Sequence, residues 1–439
     1  MNRKNVSFPP GRLQERDTRE GFAGPQGVGL TFERSHMAGQ ITLFTPWGNG
    51  NGHLMRCVVL AQAARDAGDP VAIAVPDARQ RAFVESAGLR AVPYEGDWSQ
   101  HDPWMMWTDE TVVRSAIAAD RALLRSTRAA RVVVDSRISM NVAAHLEDVP
   151  VVGLVQDMDF PGHTYPGRPT EALWPRGAAA FRRALADHGP VDDLTDLRQV
   201  IVASPVAVPG IPETDPVPAE ALGYTTYVGP LTGVDRADAG HPLPDDAILF
   251  YKTFTQVERA HELVDAFGDV RDRVHVATGD ERSAAALRAE PLLAGFAVRD
   301  LWAVRPGAGA GPRTAVVHGG HGVVLTMLQA GTPTVVVVDG SPERAANAVK
   351  ARAFGSFAAV GEPAEVDWSA QAGHGHDTPF TTVRDAVDQL EADPGAALAA
   401  ERWRRHLETF TLDGARTTIR EHAAVPHLWR STTTAAARA

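Results

Sequence analysis

The sequence predicts an α/β protein with two parallel β-sheets, each flanked by helices. Short apolar runs such as Val71–Val75 and Thr334–Val338 recur along both halves of the chain. Continuous rather than alternating hydrophobicity is typical of strands buried on both faces of a parallel sheet. Helical patterns separate the runs, as in a doubly wound α/β domain. A Gly- and Pro-rich stretch between the two series indicates two domains.

The first series begins at Ile41–Phe44, and a Gly-rich turn follows it. The next helix is predicted from apolar residues spaced i, i+3, i+4 and i+7, and it is expected to end at Gly68. These apolar residues are Cys57, Leu60, Ala61 and Ala64. The remaining strands predicted in this half are Val71–Val75, Leu89–Val92, Val132–Val134, Val151–Val155 and Val200–Val202.

The second series is predicted at Ile248–Tyr251, Val274–Ala277, Phe296–Val298, Ala315–Val317 and Thr334–Val338. Two Rossmann-like domains with a cleft between them are therefore expected. The predicted segments are a disordered leader (1–39), an N-terminal Rossmann-like domain (40–232), a linker (233–246), a C-terminal Rossmann-like domain (247–395) and a helical tail (396–439).

Composition excludes several classes of protein. The 439 residues carry a formal charge of −11 and no long basic run, which argues against coating nucleic acid or anionic lipid. The single cysteine, Cys57, cannot form an internal disulfide, as is usual in the reducing cytoplasm. No apolar run approaches the ~20 residues of a membrane span, and no signal peptide is recognisable. We expect a cytoplasmic protein.

The Gly-rich turn from Trp47 to His53 is the first candidate for chemistry. Its glycines let a ligand approach the backbone, and the following helix directs its N-terminal N–H groups to the same place. His53 is predicted to lie where the strands end, and there an imidazole can act as a general base. The alternative is that His53 only caps the helix.

The same turn half-matches a dinucleotide-binding fingerprint. Gly48 and Gly50 follow a strand, and Asp77 follows the next strand. His53 replaces the third glycine, and the second half of the chain is left unexplained. An NAD(P)-dependent dehydrogenase remains an alternative.

The second motif, Val316 to Gly322, leads from a strand into a helix. Its glycines expose backbone N–H groups at a helix N-terminus, which is a ready site for a diphosphate, and His318 adds a donor. Gly331-Thr332-Pro333 then leads into the next strand. The alternative is a tight turn whose glycines serve only packing.

These motifs carry a resemblance. The stretch from His318 to Gly355, with Glu343 to Asn347 after the hydrophobic strand, resembles the donor-binding signature of nucleotide-sugar glycosyltransferases. It is most similar to the bacterial natural-product and plant-type UDP-glycosyltransferase family, with MurG-like relatives. Tyr227 to Leu231 resembles that family's interdomain segment. The resemblance implies the GT-B fold, in which two Rossmann-like domains face a cleft.

The resemblance also implies site residues. His53 falls on the family's catalytic base, and Asp135 falls on the carboxylate that orients it, although Asp135 alone is also explained as a polar strand end. The implied donor-binding residues are Thr253, His318, Gly319, Gly320, Gly322, Glu343 and Arg344. No metal or other cofactor is implied, because the nucleotide-sugar is a co-substrate.

Three residues depart from the family pattern. Val323 and Thr326 replace the Thr after the last glycine and the acid at the ribose, and Arg344 replaces a Gln beside the sugar-binding Glu343. Diphosphate binding is expected to survive, while ribose and sugar recognition change. Arg344 favours an anionic or strongly oxygenated donor, or pairs with Glu343.

An aromatic cluster is the candidate acceptor surface, since aromatics and Met form adaptable apolar surfaces. Its members are Trp98, Trp104, Met105, Met106 and Trp107. The alternative is a loop folded onto its own domain. Asp157-Met158-Asp159 is predicted as a solvated loop rather than a metal site, and no histidine spacing indicates a metal.

The sequence thus predicts an inverting, metal-independent glycosyltransferase of the hexosyltransferase type, a monomer or homodimer. It is expected to use a UDP- or TDP-sugar and a small, hydrophobic or natural-product acceptor, as in antibiotic biosynthesis. The stretch from Gly50 to Cys57 also resembles GT-B-fold nucleotide-sugar hydrolases. A hydrolase and a catalytically silent GT-B partner protein therefore remain alternatives beside the dehydrogenase.

Overall fold

A computed structural model describes residues 41–48, 51–94, 105–163, 173–189, 191–232, 241–300, 302–304, 311–338, 342–361 and 378–426. The predicted leader, 1–39, lies outside these residues, as do Trp98 and Trp104 of the predicted acceptor surface. Among the helices described, none is long and apolar enough to cross a membrane.

The N-terminal sheet has seven parallel strands in the order β3-β2-β1-β4-β5-β6-β7. They are β1 (Ile41–Pro46), β2 (Val71–Val75), β3 (Ala91–Pro93), β4 (Ala129–Asp135), β5 (Val151–Leu154), β6 (Val206–Val208) and β7 (Thr225–Tyr227). The interior strand β1 is apolar because helices cover both faces, and Leu43 and Phe44 are fully buried.

Within the described ranges, six helices connect these strands: α1 (Asn51–Asp66), α2 (Ala78–Ser86), α3 (Glu110–Thr127), α4 (Ile138–Leu146), α5 (Leu173–Ala184) and α6 (Arg198–Ile201). Local signals explain several boundaries. The carboxylate of Asp109 accepts the N–H of Thr111 at 2.8 Å and so caps α3. Asp77 caps α2 in the same way through the N–H of Gln80, at 2.7 Å.

The predicted strand at Val200–Val202 is wrong. Leu197, Val200 and Ile201 are all buried, and their i, i+3, i+4 spacing places them on one face of the short helix α6 and the turn before it. The strand of this region is β6, a few residues later. A run of three β-branched residues does not distinguish a strand from a buried helix, because either element would bury all of these side chains.

The C-terminal sheet has six parallel strands in the order β11-β10-β9-β13-β14-β15. A separate pair, β8 with β12, lies outside it. The strands are β8 (His241–Pro242), β9 (Ile248–Tyr251), β10 (Val274–Ala277), β11 (Ala297–Arg299), β12 (Trp302–Ala303), β13 (Thr314–His318), β14 (Thr334–Val337) and β15 (Phe357–Val360). All five strands predicted in this half are confirmed within two residues, while β15 was not predicted.

The C-terminal half contains α7 (Ala260–Phe267), α8 (Glu281–Ala289), α9 (His321–Ala330), α10 (Pro342–Arg352), α11 (Phe380–Ala392), α12 (Pro394–Leu407) and α13 (Leu412–His422). The last helix returns to the first domain. Ala415 and Ile419 of α13 join the core that contains Phe44 and Leu54. Ala424 forms an antiparallel bridge with Val151 of β5. The predicted tail therefore belongs to both domains.

The chain passes between the domains twice, once after β7 and once between α12 and α13, and these two segments pack against each other. Gly229 follows β7 and has φ +75°, and a Cβ there would lie 2.3 Å from Cβ of Phe410, between α12 and α13. Only glycine accepts this backbone conformation and this close contact together. The linker and the returning tail are thus packed as one unit.

A buried ion pair stabilises the N-terminal domain. The guanidinium of Arg137 donates to both carboxylate oxygens of Asp120, and Ser139 Oγ donates to the same carboxylate at 2.6 Å. Arg137 also stacks 3.8 Å from the ring centroid of Tyr94. Burial raises the pKa of Asp120 although Arg137 and Ser139 oppose it. The pair locks α3 against the start of α4.

We expect Asp120→Ala to destabilise the fold by about 3–5 kcal/mol, because it leaves the buried Arg137 charge without its counter-ion. The double variant Asp120→Leu/Arg137→Met is expected to lose less than the single one, since it leaves no buried charge. Urea unfolding followed by circular dichroism measures both. Glu110→Ala, which removes an exposed ion pair with Arg114, is the control with an almost unchanged midpoint. A double variant as unstable as Asp120→Ala would contradict the interpretation.

Candidate active site

The topology of the N-terminal sheet brings the first motif and Asp135 together. β1 pairs with β4, and Pro46 at the end of β1 lies opposite Asp135 at the end of β4. The turn after β1 leads into α1, whose third residue is His53. Carboxyl ends of parallel strands form one edge of the sheet, where such domains bind ligands.

His53 and Asp135 form a hydrogen-bonded pair. Nδ1 of His53 lies 2.7 Å from Oδ1 of Asp135. The imidazole is 28% exposed and the carboxylate is fully buried. When Nδ1–H donates to the carboxylate, Nε2 keeps its lone pair, and it makes no hydrogen bond with any residue that the structure describes. This arrangement suits a general base that takes a proton from a ligand.

Arg56 completes the group, and the sequence analysis missed it. Its Nε donates to Oδ2 of Asp135 at 2.9 Å, and its Nη2 donates to Oδ1 at 2.7 Å. Burial opposes ionisation of Asp135, but Arg56 and His53 outweigh it and hold the pKa of Asp135 below its usual value. Arg56 lies three residues after His53, hence on the same face of α1, and that spacing was the available signal.

A second buried carboxyl group lies near this pair. Burial raises the pKa of Asp159 to about 6, although the N–H of Gln156 and the charge of Arg56 oppose the shift. The predicted solvated loop at Asp157–Asp159 is therefore wrong, since all three residues are buried in a short 3-10 turn. Asp157 pairs with Lys350 of α10 at 3.0 Å. Within the described ranges, no three His, Cys, Asp or Glu side chains are grouped as metal ligands.

The second motif occupies the equivalent edge of the C-terminal sheet. His318 ends β13, and α9 begins at His321. Nδ1 of His318 accepts the N–H of Gly320 at 3.0 Å, so a neutral His318 carries its proton on Nε2. A Cβ on Gly322 would meet nothing within 4 Å, so the backbone at the start of α9 is open on that side. A donor imidazole thus stands beside a helix N-terminus, which suits a phosphate group.

Close packing brings α10 against this loop. A Cβ on Gly319 would lie only 2.2 Å from the carbonyl oxygen of Arg344, so this position requires glycine. Nδ2 of Asn347 donates to the carbonyl of Gly319 at 3.0 Å. Glu343 lies in the first turn of α10, directly before Arg344. The structure therefore brings the predicted donor residues of both segments together.

Thr253 follows β9 and is buried. Its side chain is 5% exposed, and Oγ1 donates to the carbonyl of Val316 in β13 at 3.3 Å. The hydroxyl therefore links the segment after β9 to β13. Its donor-binding role stays a prediction.

A buried polar contact, also missed by the sequence analysis, joins the start of α9 to the N-terminal domain. Nε2 of His321, the first residue of α9, lies 2.8 Å from Oδ2 of Asp215 in the segment after β6. Burial opposes ionisation of Asp215, but His321 outweighs it and lowers the pKa. Gly210 permits the contact, because a Cβ there would lie 1.9 Å from the same oxygen. His321–Asp215 and Lys350–Asp157 thus connect α9 and α10 to the N-terminal domain.

The predicted acceptor surface requires a correction. Trp107 is 1% exposed, and its ring packs 5.0 Å from that of Trp47 and 5.9 Å from that of Phe181. It belongs to the hydrophobic core, as does Met106, so neither presents a surface to an acceptor. Met105 is 43% exposed and remains a candidate. The remaining two members of the cluster lie outside the described residues.

Comparison with known proteins gives fold neighbours only. No protein-family model and no curated protein sequence matches the chain. Solved structures do match. The glycosyltransferase of kitacinnamycin is 21% identical over 87% of this chain and 98% of its own, with a TM-score of 0.61.

Spinosyn forosaminyltransferase SpnP is 17% identical over 88% of this chain and 100% of its own, with a TM-score of 0.62. The glycosyltransferase VinC, solved in complex with dTDP, is 18% identical over 87% of this chain and 98% of its own, with a TM-score of 0.57. With the seven- and six-stranded parallel sheets, these likenesses show that the chain has the GT-B fold of natural-product glycosyltransferases.

Proposed function

We propose that the chain is an inverting glycosyltransferase that moves a hexosyl group from a nucleotide-sugar to a small natural-product acceptor. The observation that carries the proposal is the His53–Asp135 pair, built at a strand edge of a GT-B fold whose other sheet carries the His318 glycine loop. One half supplies a base and the other supplies donors for a departing diphosphate. Both are needed for sugar transfer.

His53 acts as the general base in this proposal. Nε2 takes the proton of the acceptor hydroxyl as its oxygen attacks the anomeric carbon. The bond between that carbon and the diphosphate oxygen breaks on the opposite side, so the configuration inverts. Asp135 stabilises the imidazolium that forms, and Arg56 holds the carboxylate in place.

The C-terminal loop stabilises the leaving group. As the bond breaks, negative charge develops on the diphosphate, and in this proposal Nε2–H of His318 and the N–H groups at the start of α9 donate hydrogen bonds to it. Backbone and imidazole donors are sufficient for this role, so we propose that no metal takes part. The complex of VinC with dTDP supports thymidine diphosphate as the nucleotide.

We expect His53→Ala to lower kcat about 10²–10⁴-fold, the usual loss on removing a general base, with nearly unchanged affinity for dTDP. Turnover is measured with whichever nucleotide-sugar and natural-product acceptor the wild type uses, and affinity is measured by calorimetry. His261→Ala, which removes an exposed imidazole from α7, is the matched control. A His53→Ala variant that keeps more than about half of wild-type turnover would contradict the assignment of His53 as the general base. Donor cleavage at full rate without acceptor would indicate a hydrolase.

His318→Ala is expected to act on the other substrate. It removes a donor to the diphosphate, and hydrogen bonds to charged groups contribute about 1.5–3 kcal/mol, so dTDP affinity should fall about 10- to 100-fold. Calorimetry of the wild type with EDTA should show the same affinity as without it. Unchanged dTDP binding by the variant contradicts the role of His318, and a loss with EDTA contradicts metal independence.

A further inference from the structure

The two polar contacts between the domains have the same direction. His321 of α9 and Lys350 of α10 supply the nitrogen atoms, and Asp215 and Asp157 of the N-terminal domain supply the oxygen atoms, at 2.8 and 3.0 Å. All four side chains are buried or half-buried. Complementary groups favour one register between two surfaces, because a shift would leave them unpaired. We call these two pairs the interdomain clamp.

The imidazole of His321 has its polar contact in the other domain. Its side chain is 5% exposed, Nε2 faces Asp215, and Nδ1 is buried without a hydrogen-bond partner among the described residues. Oδ1 of Asp215 is likewise buried without a partner in this part of the chain. An apolar pair of similar size would be buried at least as favourably, since polar groups lose their hydration. The polar pair adds direction, because its hydrogen bond forms in one arrangement of the two domains.

Asp215 is held in a fixed position within its own domain. Thr214 Oγ1 donates to its Oδ2 at 2.6 Å, and the Asp215 N–H donates to the carbonyl of Ile211 at 2.8 Å. The carbonyl of Asp215 accepts the hydroxyl of Tyr227, in β7, at 2.7 Å. Such a network leaves the carboxylate little freedom to follow a moving partner. The contact therefore fixes His321 relative to the N-terminal sheet.

Helix α10 connects the second pair to the glycine loop after β13. Asn347 donates to the carbonyl of Gly319 in this loop, and Lys350, three residues later on the same face, contacts Asp157. Lys350, Asn347 and His321 line one cavity. Both contacts of the clamp thus act on the loop, one through α10 and one through His321 itself.

The N-terminal side of the second pair lies at the sheet edge that carries His53. Leu154, at the end of β5, is opposite Asp135 in the register of the sheet. Asp157 follows three residues later, in a short 3-10 turn. The clamp therefore joins the glycine loop of one domain to the edge of the sheet that holds the His53–Asp135 pair in the other.

We propose that His321 and Lys350 are positioning residues that hold the glycine loop after β13 in register with His53. Transfer requires the anomeric carbon of the donor to meet the acceptor oxygen beside the base, and a misplacement of about 1 Å can cost about 100-fold in rate. Neither side chain touches a reacting atom in this role. The catalytic consequence rests on the proposed function, whereas the fixed arrangement of the domains does not.

Spin labels test the fixed arrangement without any substrate. They are attached at Leu222→Cys in the N-terminal domain and Leu292→Cys in the C-terminal domain, which are exposed positions, while the buried Cys57 stays unlabelled. Double electron–electron resonance then measures the distance between the domains. We expect one narrow distribution with the clamp intact and one about twofold wider in His321→Leu/Asp215→Asn, which removes the hydrogen bond and leaves no buried charge. His321→Gln, whose amide nitrogen donates to the same carboxylate, should keep the narrow distribution.

Lys350→Met tests the second pair in the same labelled protein. We expect a smaller broadening, because Lys350–Asp157 is more exposed to water than His321–Asp215 and is therefore weaker. Arg352→Met is the matched control, since it removes a cation of the same helix whose contact, the carbonyl of Ala359, lies in its own domain. Its distribution should equal that of the parent protein.

The positioning role also predicts a difference between rate and affinity. In the double variant His321→Leu/Asp215→Asn, kcat should fall about 10-fold or more while dTDP affinity, measured by calorimetry, changes less than about twofold, because the glycine loop itself is intact. His321→Gln should keep both values. A fall in dTDP affinity as large as the fall in kcat would overturn the positioning role.

Three distance results overturn the proposal: a broad distribution with the clamp intact, an unchanged distribution in both the double variant and Lys350→Met, or equal broadening in the Arg352→Met control. Its failure is distinguishable from that of the proposed function. Broadening in the double variant of a chain that transfers no sugar supports the clamp and contradicts the transferase. Transfer that depends on His53, with distances and kcat unchanged in the double variant, does the reverse.

Discussion

The burial of Asp135 is the constraint on which the N-terminal half of the site depends. A carboxylate with no solvent exposure is costly unless cations and hydrogen bonds compensate it, and both compensating groups, His53 and Arg56, come from one helix. The position of α1 relative to β4 is therefore fixed by charge as well as by packing. This fixes the imidazole by its Nδ1 and leaves its Nε2 without a partner among the described residues, so one electrostatic requirement sets both the local fold and the orientation of His53.

Steric requirements dominate in the C-terminal half. Gly319 lets the carbonyl of Arg344 approach to a distance that any side chain would prevent, and the start of α10 thereby meets the loop after β13. The His318 imidazole is fixed by a backbone N–H rather than by an acid. The two halves thus orient their histidines by different interactions, a carboxylate in one and a backbone N–H in the other. A carboxylate suits a base that becomes positive, whereas a neutral donor with its proton on Nε2 suits a group that becomes negative.

Contacts between the domains tie the two halves together. His321 and Lys350, on the helices that frame the predicted donor loop, each contact an acid of the N-terminal domain. The linker at Gly229 and the tail at Phe410 pack against each other where the chain crosses between domains. Because these polar pairs are buried or half-buried, separating the two domains would leave their charged groups without partners. The His318 loop and His53 are therefore elements of one connected structure.

The sequence alone determined the two-domain α/β architecture, most strands, both glycine-rich turns and, through a family resemblance, the pairing of His53 with Asp135. The architecture, strands and turns rest on periodicity, on glycine backbone freedom and on motif spacing, which are local in the chain. The pairing of His53 with Asp135, 82 positions apart, came from the resemblance alone. The contact between His321 and Asp215 joins residues 106 positions apart, and no local pattern encodes it. The same is true of Arg56 against Asp135, and of Trp107, whose apolar ring fits a core and a binding surface equally well until its neighbours Trp47 and Phe181 are in place. Tertiary structure decided these, because burial and partners arise only when distant segments pack.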